Sequence, residues 1–238
     1  MFYINSEKET FLYTGDFSTR RRYFTEGAKP VKCDNLILEC TFGKEEFRFP
    51  KIENIIREMR AWISDNFIKD KPVIVFAYSL GKAQELLYHF SEYEPYVAPT
   101  IWKINKVFEK HNIKFKCREF PKEIEDLNTK KPYLMLAPLE SRNLKHIIYS
   151  MQNGAATCAV SGWALSPSFK YTIGVDRAFP ISDHADYDEL IDFVKKCSPK
   201  KVYCWHGYAL EFANDIRKKY GLEAIALLNK QSNITSFF

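Results

Sequence analysis

The sequence predicts an α/β protein. Short β-branched or aromatic runs of strand length alternate with segments whose apolar residues recur every three or four positions, and no repeat or low-complexity tract interrupts them. With 238 residues, 46% hydrophobic and 16% aromatic, the chain can bury a substantial core in one large domain or two small ones.

The elements follow in order. "FLYTGDFS" (11–18) ends a strand, Phe11 to Tyr13, in Gly15 and the carboxylate Asp16. "NLILECTFG" (35–43) is a second apolar strand, and it too ends in an acid, Glu39. Over 51–68, Ile52, Ile55, Ile56, Met59 and Ile63 fall at helical spacing, which predicts an amphipathic helix. "KPVIVFAYSLGKAQELLYHF" (71–90) reads strand, turn, helix, with Gly81 in the turn and Leu86, Leu87 and Phe90 on one face. A helix N-terminus behind Gly81 and bearing Lys82 is a candidate phosphate site through free backbone N–H groups and the helix dipole. The stretch lacks the full G-x-x-x-x-G-K-[ST] pattern, so a plain crossover is the competing reading.

A helix near 101–111, strands near 113–118 and 132–137, and a helix near 142–150 continue the alternation. "GAATCAVSGWAL" (154–165) is a buried strand leading to a Ser-Gly-Trp turn. In "VDRAFPISDHADYDELIDFVKKC" (175–197), Asp186 and Glu189 form a capping box. Tyr187, Leu190, Ile191 and Val194 make the buried face, and Lys195 and Lys196 sit at the favourable C-terminal end. His184 therefore lies just before a well-capped helix. "KKVYCWHGY" (200–208) is an alternating strand that delivers His206, with Gly207 allowing a tight exit.

Three strand ends thus present Asp16, Glu39 and His206, and one loop before a helix presents His184. Ligands gather at strand C-termini in α/β sheets, so the four are candidates for one site. The competing reading of each alone is a cap or a satisfied hydrogen-bond partner.

Composition narrows the class. The net charge of +5 suits a polyanionic partner such as nucleic acid, although so small an excess also occurs on ordinary solvated surfaces. "MFYINSEKET" shows no basic stretch followed by an apolar one, and no apolar run approaches the roughly 18 residues of a membrane span. A cytoplasmic protein without a membrane partner is expected. Six cysteines without a C-x-x-C pair predict reduced, mostly buried thiols.

"YTGDFS", "LILECTFG", "FAYSLGKAQELL", "SGWAL", "GVDRAFPISDHADYDEL" and "VYCWHGY" stand in the order and approximate spacing of one family. Over nearly its whole length the chain resembles the β-CASP branch of the metallo-β-lactamase-fold nucleases. "TFGKEEFRFP" and "VDRAFPISDHAD" make it most similar to the DNA exonucleases associated with ATP-dependent ligases and to archaeal mRNA 3′-end processing factors. The resemblance implies that Asp16 is the carboxylate bridging two zinc ions and that His206 is a terminal zinc ligand. It implies further that Glu39 orients His184, whose imidazole protonates the leaving oxygen. Lys82 and the basic balance would help hold the nucleic-acid backbone.

The family's H-x-H-x-D-H motif and a further "GH" histidine are expected upstream of Asp16, and this sequence has neither. Its five histidines are His89, His111, His146, His184 and His206, no two of them close enough for an H-x-H chelate. A catalytic zinc usually takes three protein ligands, so the two Zn2+ of the complete site are expected to be weak or absent on this chain alone.

The fold expected is the C-terminal part of a metallo-β-lactamase αββα sandwich, residues 1–48 and 171–238, with a β-CASP α/β domain inserted at 49–170. The absent half would leave apolar surface open to a complementing N-terminal polypeptide or a homo-oligomer. The expected function is metal-dependent, exonuclease-like hydrolysis of DNA or RNA, inactive without the missing half. The alternative is a metal-free pseudo-enzyme that binds nucleic acid or regulates an active homologue.

Overall fold

The computed structural model describes residues 1–23 and 25–227. The chain forms two compact units, Met1–Arg48 with the described residues from Asp183 onward, and Phe49–Ser182.

In the first unit, β1 (Phe2–Asn5), β2 (Thr10–Tyr13), β3 (Asn35–Glu39), β10 (Lys201–Trp205) and β11 (Glu223–Leu227) form one sheet in the order β1-β2-β3-β10-β11. Only the β1/β2 pair is antiparallel; the others run parallel. Two helices complete the unit, α6 (Tyr187–Cys197) and α7 (Ala209–Tyr220). Their apolar faces, including Leu190, Phe193, Phe212 and Ile216, share a core with Leu12, Leu36, Leu38, Val202 and Cys204. Alternation along each strand sends those sheet residues to one face and their neighbours to the other.

That other face carries an apolar row at one register: Phe2 opposite Tyr13, then Ile37, Tyr203 and Ile225. Phe2, Ile4, Ile225 and Leu227 are exposed, although most would suit a core. One side of the sheet is therefore covered by helices, and the other offers apolar side chains to its surroundings.

The second unit holds a six-stranded, all-parallel sheet. Its strands are β4 (Val73–Phe76), β5 (Tyr96–Val97), β6 (Arg118–Glu119), β7 (Leu134–Ala137), β8 (Ala156–Val160) and β9 (Arg177–Phe179), in the order β6-β5-β7-β4-β8-β9. The helices are α1 (Ile52–Phe67), α2 (Lys82–His89), α3 (Pro99–Glu109), α4 (Lys145–Gln152) and α5 (Phe169–Ile173). Helices α1, α2 and α3 pack on the face bearing Val73, Val75, Leu134 and Cys158. Helix α4 lies on the face of Ile74, Phe76 and Met135, and α5 packs at its border. Strands buried on both sides explain why β4, β7 and β8 are continuous apolar runs rather than alternating ones.

Several boundaries differ from expectation. Strand pairing near 113–118 is confined to Arg118–Glu119, because Ile113–Cys117 is held by side chains instead: Phe115 packs edge-on against Phe108, and Cys117 accepts from the Asn105 amide. Helix α3 starts earlier than 101, with Pro99 in its first turn, where a missing N–H costs nothing. A 3-10 turn over Leu139–Asn143 delays α4 to Lys145. The return crossing between units falls at Ser182/Asp183 rather than at 170, since β9 extends the second unit's sheet beside β8. All six cysteines are free, and five of them are buried. Among the described residues no helix is long and apolar enough to cross a membrane.

Candidate active site

The candidate site lies at the C-terminal edge of the first unit's sheet. Glu39, the last residue of β3, is fully buried. Its Oε2 accepts the Thr41 N–H at 2.8 Å, which ties the chain back on itself directly after the strand. Its Oε1 lies 3.2 Å from His184 Nδ1, and Thr41 Oγ1 lies at 3.2 Å from the same nitrogen. With a carboxylate facing it, Nδ1 is placed to donate, which leaves Nε2 for proton exchange. Phe42 packs edge-on against the imidazole with ring centroids 6.0 Å apart. The pair expected from the sequence is thus brought together, and Thr41 joins it.

The His184 loop is held by a hub that sequence reasoning assigned only to capping. Glu189 and Asp186 close the expected capping box, with Glu189 N donating to Asp186 Oδ1 at 2.9 Å and Asp186 N to Glu189 Oε2 at 3.0 Å. The Glu189 carboxylate also accepts from Thr19 N at 3.0 Å and from Thr19 Oγ1 at 2.5 Å, and it pairs with Arg20 Nε at 3.0 Å. Arg20 in turn donates to the His184 carbonyl at 2.8 Å, and Ala185 N donates to Phe17 O at 2.6 Å. The loop after β2 is therefore strapped to the loop before α6. Asp16, exposed, lies in that strapped segment: Thr14 N on one side donates to Ile37 O of β3 at 3.1 Å, and Phe17 on the other meets Ala185.

His206 follows β10 directly, at the strand end where Trp205 stands opposite Glu39. Its φ of +63° is in the left-handed region, which a non-glycine residue enters at a cost of roughly 1–2 kcal/mol. Gly207 continues this turn at φ +54°, and a Cβ there would fall 2.4 Å from Thr41 Cα and 2.5 Å from Cys40 O. Cys40 N donates to Trp205 O at 2.9 Å, and Tyr208 N donates to Cys40 O at 2.8 Å. Glycine is thus what lets the exits of β3 and β10 lie side by side. Strain held at a strand end beside a buried acid–imidazole pair is characteristic of functional sites.

Asp16 and His206 do not by themselves complete a metal centre. Among the described residues no three His, Cys, Asp or Glu side chains are grouped to hold an ion. This donor set falls short of the three protein ligands of a catalytic zinc.

Lys82 and Gly81 belong to the second unit, where the N–H groups of the turn are engaged locally. Gly81 N donates to Gln84 Oε1 at 2.7 Å, Lys82 N to Leu80 O at 3.1 Å and Ala83 N to Tyr78 O at 3.1 Å. The N–H groups expected to be free are satisfied by the turn itself. Lys82 is buried, its ammonium 4.6 Å above the Tyr78 ring. The capping glutamine two residues beyond Lys82 was the overlooked signal.

Comparison with known proteins agrees with this architecture. Residues 177–227 match the RMMBL family, a "Zn-dependent metallo-hydrolase RNA specificity domain". A "Probable DNA ligase" of Opitutus terrae is 35% identical over 226 residues, covering 94% of this chain and 21% of that protein. The "Cleavage and polyadenylation specificity factor subunit 3" of Dictyostelium discoideum is 37% identical over 97 residues, 39% of this chain and 12% of that protein. A solved structure of a protein of unknown function from Enterococcus faecalis shares the fold at a TM-score of 0.57 and 12% identity, covering 94% of this chain and 57% of that one. The chain spans about a fifth of the first curated relative and less of the second. With its six ordered motifs, its mixed α/β fold and these matches, the chain carries an RMMBL domain over residues 177–227 and is similar, over part of their length, to proteins of the β-CASP metallo-β-lactamase group.

Proposed function

We propose that this chain supplies one side of a metal-dependent phosphodiesterase centre acting on nucleic acid, and that further metal ligands come from another polypeptide segment. The observation that carries the reading is the Glu39–His184–Thr41 cluster beside the strand ends bearing Asp16 and His206. In it, Glu39 fixes the ring, and His184 Nε2 gives a proton to the departing oxygen. Asp16 and His206 are the chain's share of the metal ligands. The apolar row from Phe2 to Ile225 suits a second sheet contributed by the complementing polypeptide.

Elemental analysis after dialysis tests this. The lone chain should retain less than one zinc and show negligible nuclease activity, and co-expression with a polypeptide bearing H-x-H-x-D-H should restore two-metal hydrolysis. Retention of two metals by the lone chain would overturn the requirement for outside ligands. A second reading, favoured by the same two-donor count, is a metal-free nucleic-acid-binding protein. It predicts association that survives chelation, falls steeply with salt and gains no turnover on co-expression.

A further inference from the structure

The second unit holds a cavity that the proposed chemistry does not use. Its sheet is doubly wound: from β4 the chain passes through α2 toward β5 and β6, returns to β7, crosses to β8 and leaves for β9. The connections after β4 and β8, neighbours in the sheet, therefore diverge. Such a divergence opens a crevice beyond the strand C-termini, where open parallel sheets take their ligands. A cavity of about 540 Å³ lies there, within the roughly 300–1,000 Å³ typical of small-molecule sites. The residues just past three strands line it: Tyr78 after β4, Glu140 after β7, and Ser161 and Trp163 after β8.

The lining chemistry narrows the ligand. Phe76, Tyr78, Trp163 and Phe169 give the cavity aromatic walls, and no lysine or arginine is among its lining residues. The cations nearby, Arg142 at 4.9 Å from the Phe76 ring centroid and Lys82 at 4.6 Å from that of Tyr78, are engaged with wall rings, and the walls offer a flat heterocycle surfaces to stack on. The carboxylate of Glu140 is an acceptor only and asks for N–H donors. Ser161, buried, has its Oγ turned to Trp163 N at 3.3 Å, so the turn that presents Trp163 is pinned.

We propose that this cavity holds one unstacked base of a nucleic-acid strand, guanine above the others, since its N1–H and N2–H2 present two adjacent donors to a single carboxylate. The base stacks among the aromatic walls and is read through Glu140, as single-stranded nucleic acids are commonly recognised. The site lies wholly within the second unit. It deepens the nucleic-acid reading above and rests on it for the source of the base.

Titration of the full chain with GMP, AMP, CMP, UMP and inorganic phosphate, without metal and followed by calorimetry, tests the proposal. GMP should bind saturably and about tenfold tighter than AMP, and phosphate alone should neither bind nor displace it. Trp163→Ala should weaken every nucleotide about tenfold or more. Glu140→Gln, at an exposed position, should keep binding but lose the preference for GMP. If Trp163→Ala unfolds, Trp163→Phe provides the stacking control, retaining binding while losing the nucleotide-dependent quenching of its indole. Absence of saturable GMP binding, equal competition by phosphate, or unchanged GMP preference in Glu140→Gln would overturn the proposal. A salt-dependent association with single-stranded DNA or RNA that persists in those cases would leave the nuclease reading standing. GMP binding without polynucleotide association would do the reverse.

Discussion

Replacing Glu39 with alanine removes both acceptors that order the turn after β3, the one 2.8 Å from Thr41 N and the one 3.2 Å from His184 Nδ1. Thr41 is buried, so its N–H would lose its partner without gaining water. That loss, with the void left by an enclosed side chain, costs about 2–4 kcal/mol. Glu39→Gln separates stability from chemistry. Its amide oxygen can still accept from Thr41, but the NH2 turned toward His184 donates where the carboxylate accepted. Nδ1 must then become the acceptor, and the ring proton moves to Nε2. The glutamine variant should therefore lose only about 1 kcal/mol while reversing the tautomer. Urea unfolding with an unchanged m-value measures the first quantity, and 15N NMR of the imidazole, assigned with His184→Ala, reads the second. A Glu39→Ala loss below about 0.5 kcal/mol, or a glutamine variant that keeps Nδ1 protonated, would refute the reasoning.

Further outcomes follow from the same geometry. Glu189→Ala, which leaves the Thr19 and Asp186 N–H groups and Arg20 without their carboxylate, should cost roughly 2–4 kcal/mol and speed hydrogen exchange at Ala185; unchanged exchange would show that the two loops are not strapped through it. Gly207→Ala should lose roughly 2–5 kcal/mol, through left-handed strain and the close approach of Thr41 and Cys40, and expose the Tyr208 N–H to exchange. His206→Gly should instead raise the unfolding free energy by up to about 1 kcal/mol by relieving its backbone, while abolishing any metal uptake in the complemented complex. Asp34 is held at about 2, below its ordinary 3.8, first by Lys200 and then by the Thr10 N–H and hydroxyl. A depressed carboxylate stabilises the fold above its unfolded value, and that contribution disappears as pH falls from 3.8 toward 2. Thermal melts of Asp34→Asn should lack this part of the acid slope, and an unaltered slope would count against the assignment.

Much of this protein could be read from local pattern. Acids at the ends of Phe11–Tyr13 and Asn35–Glu39, the capped helix after His184 and the strand before His206 are encoded within a few residues of each feature, in periodicity, capping and glycine placement. The pairing of Glu39 with His184 was expected from family motifs, not from spacing, because 145 residues separate the partners. Local pattern failed where a side chain serves two masters. Glu189 reads as a cap, yet its carboxylate also gathers the Thr19–Arg20 loop from the far end of the sequence. Gly81 and Lys82 read as a phosphate cradle, yet Gln84 and the turn carbonyls take up the N–H groups.

Strand order was likewise beyond local reading. The sequence by itself determined that strands and helices alternate and which residues end the strands, since these depend on neighbours along the chain. Only the tertiary structure decided that β10 lies between β3 and β11, that α6 and α7 cover one face of the first unit's sheet among the described residues, and that the connections after β4 and β8 part to open a cavity. The reason is physical: hydrogen-bond ladders and packed faces join residues distant in sequence, and periodicity records which side of a strand is buried but not what buries it.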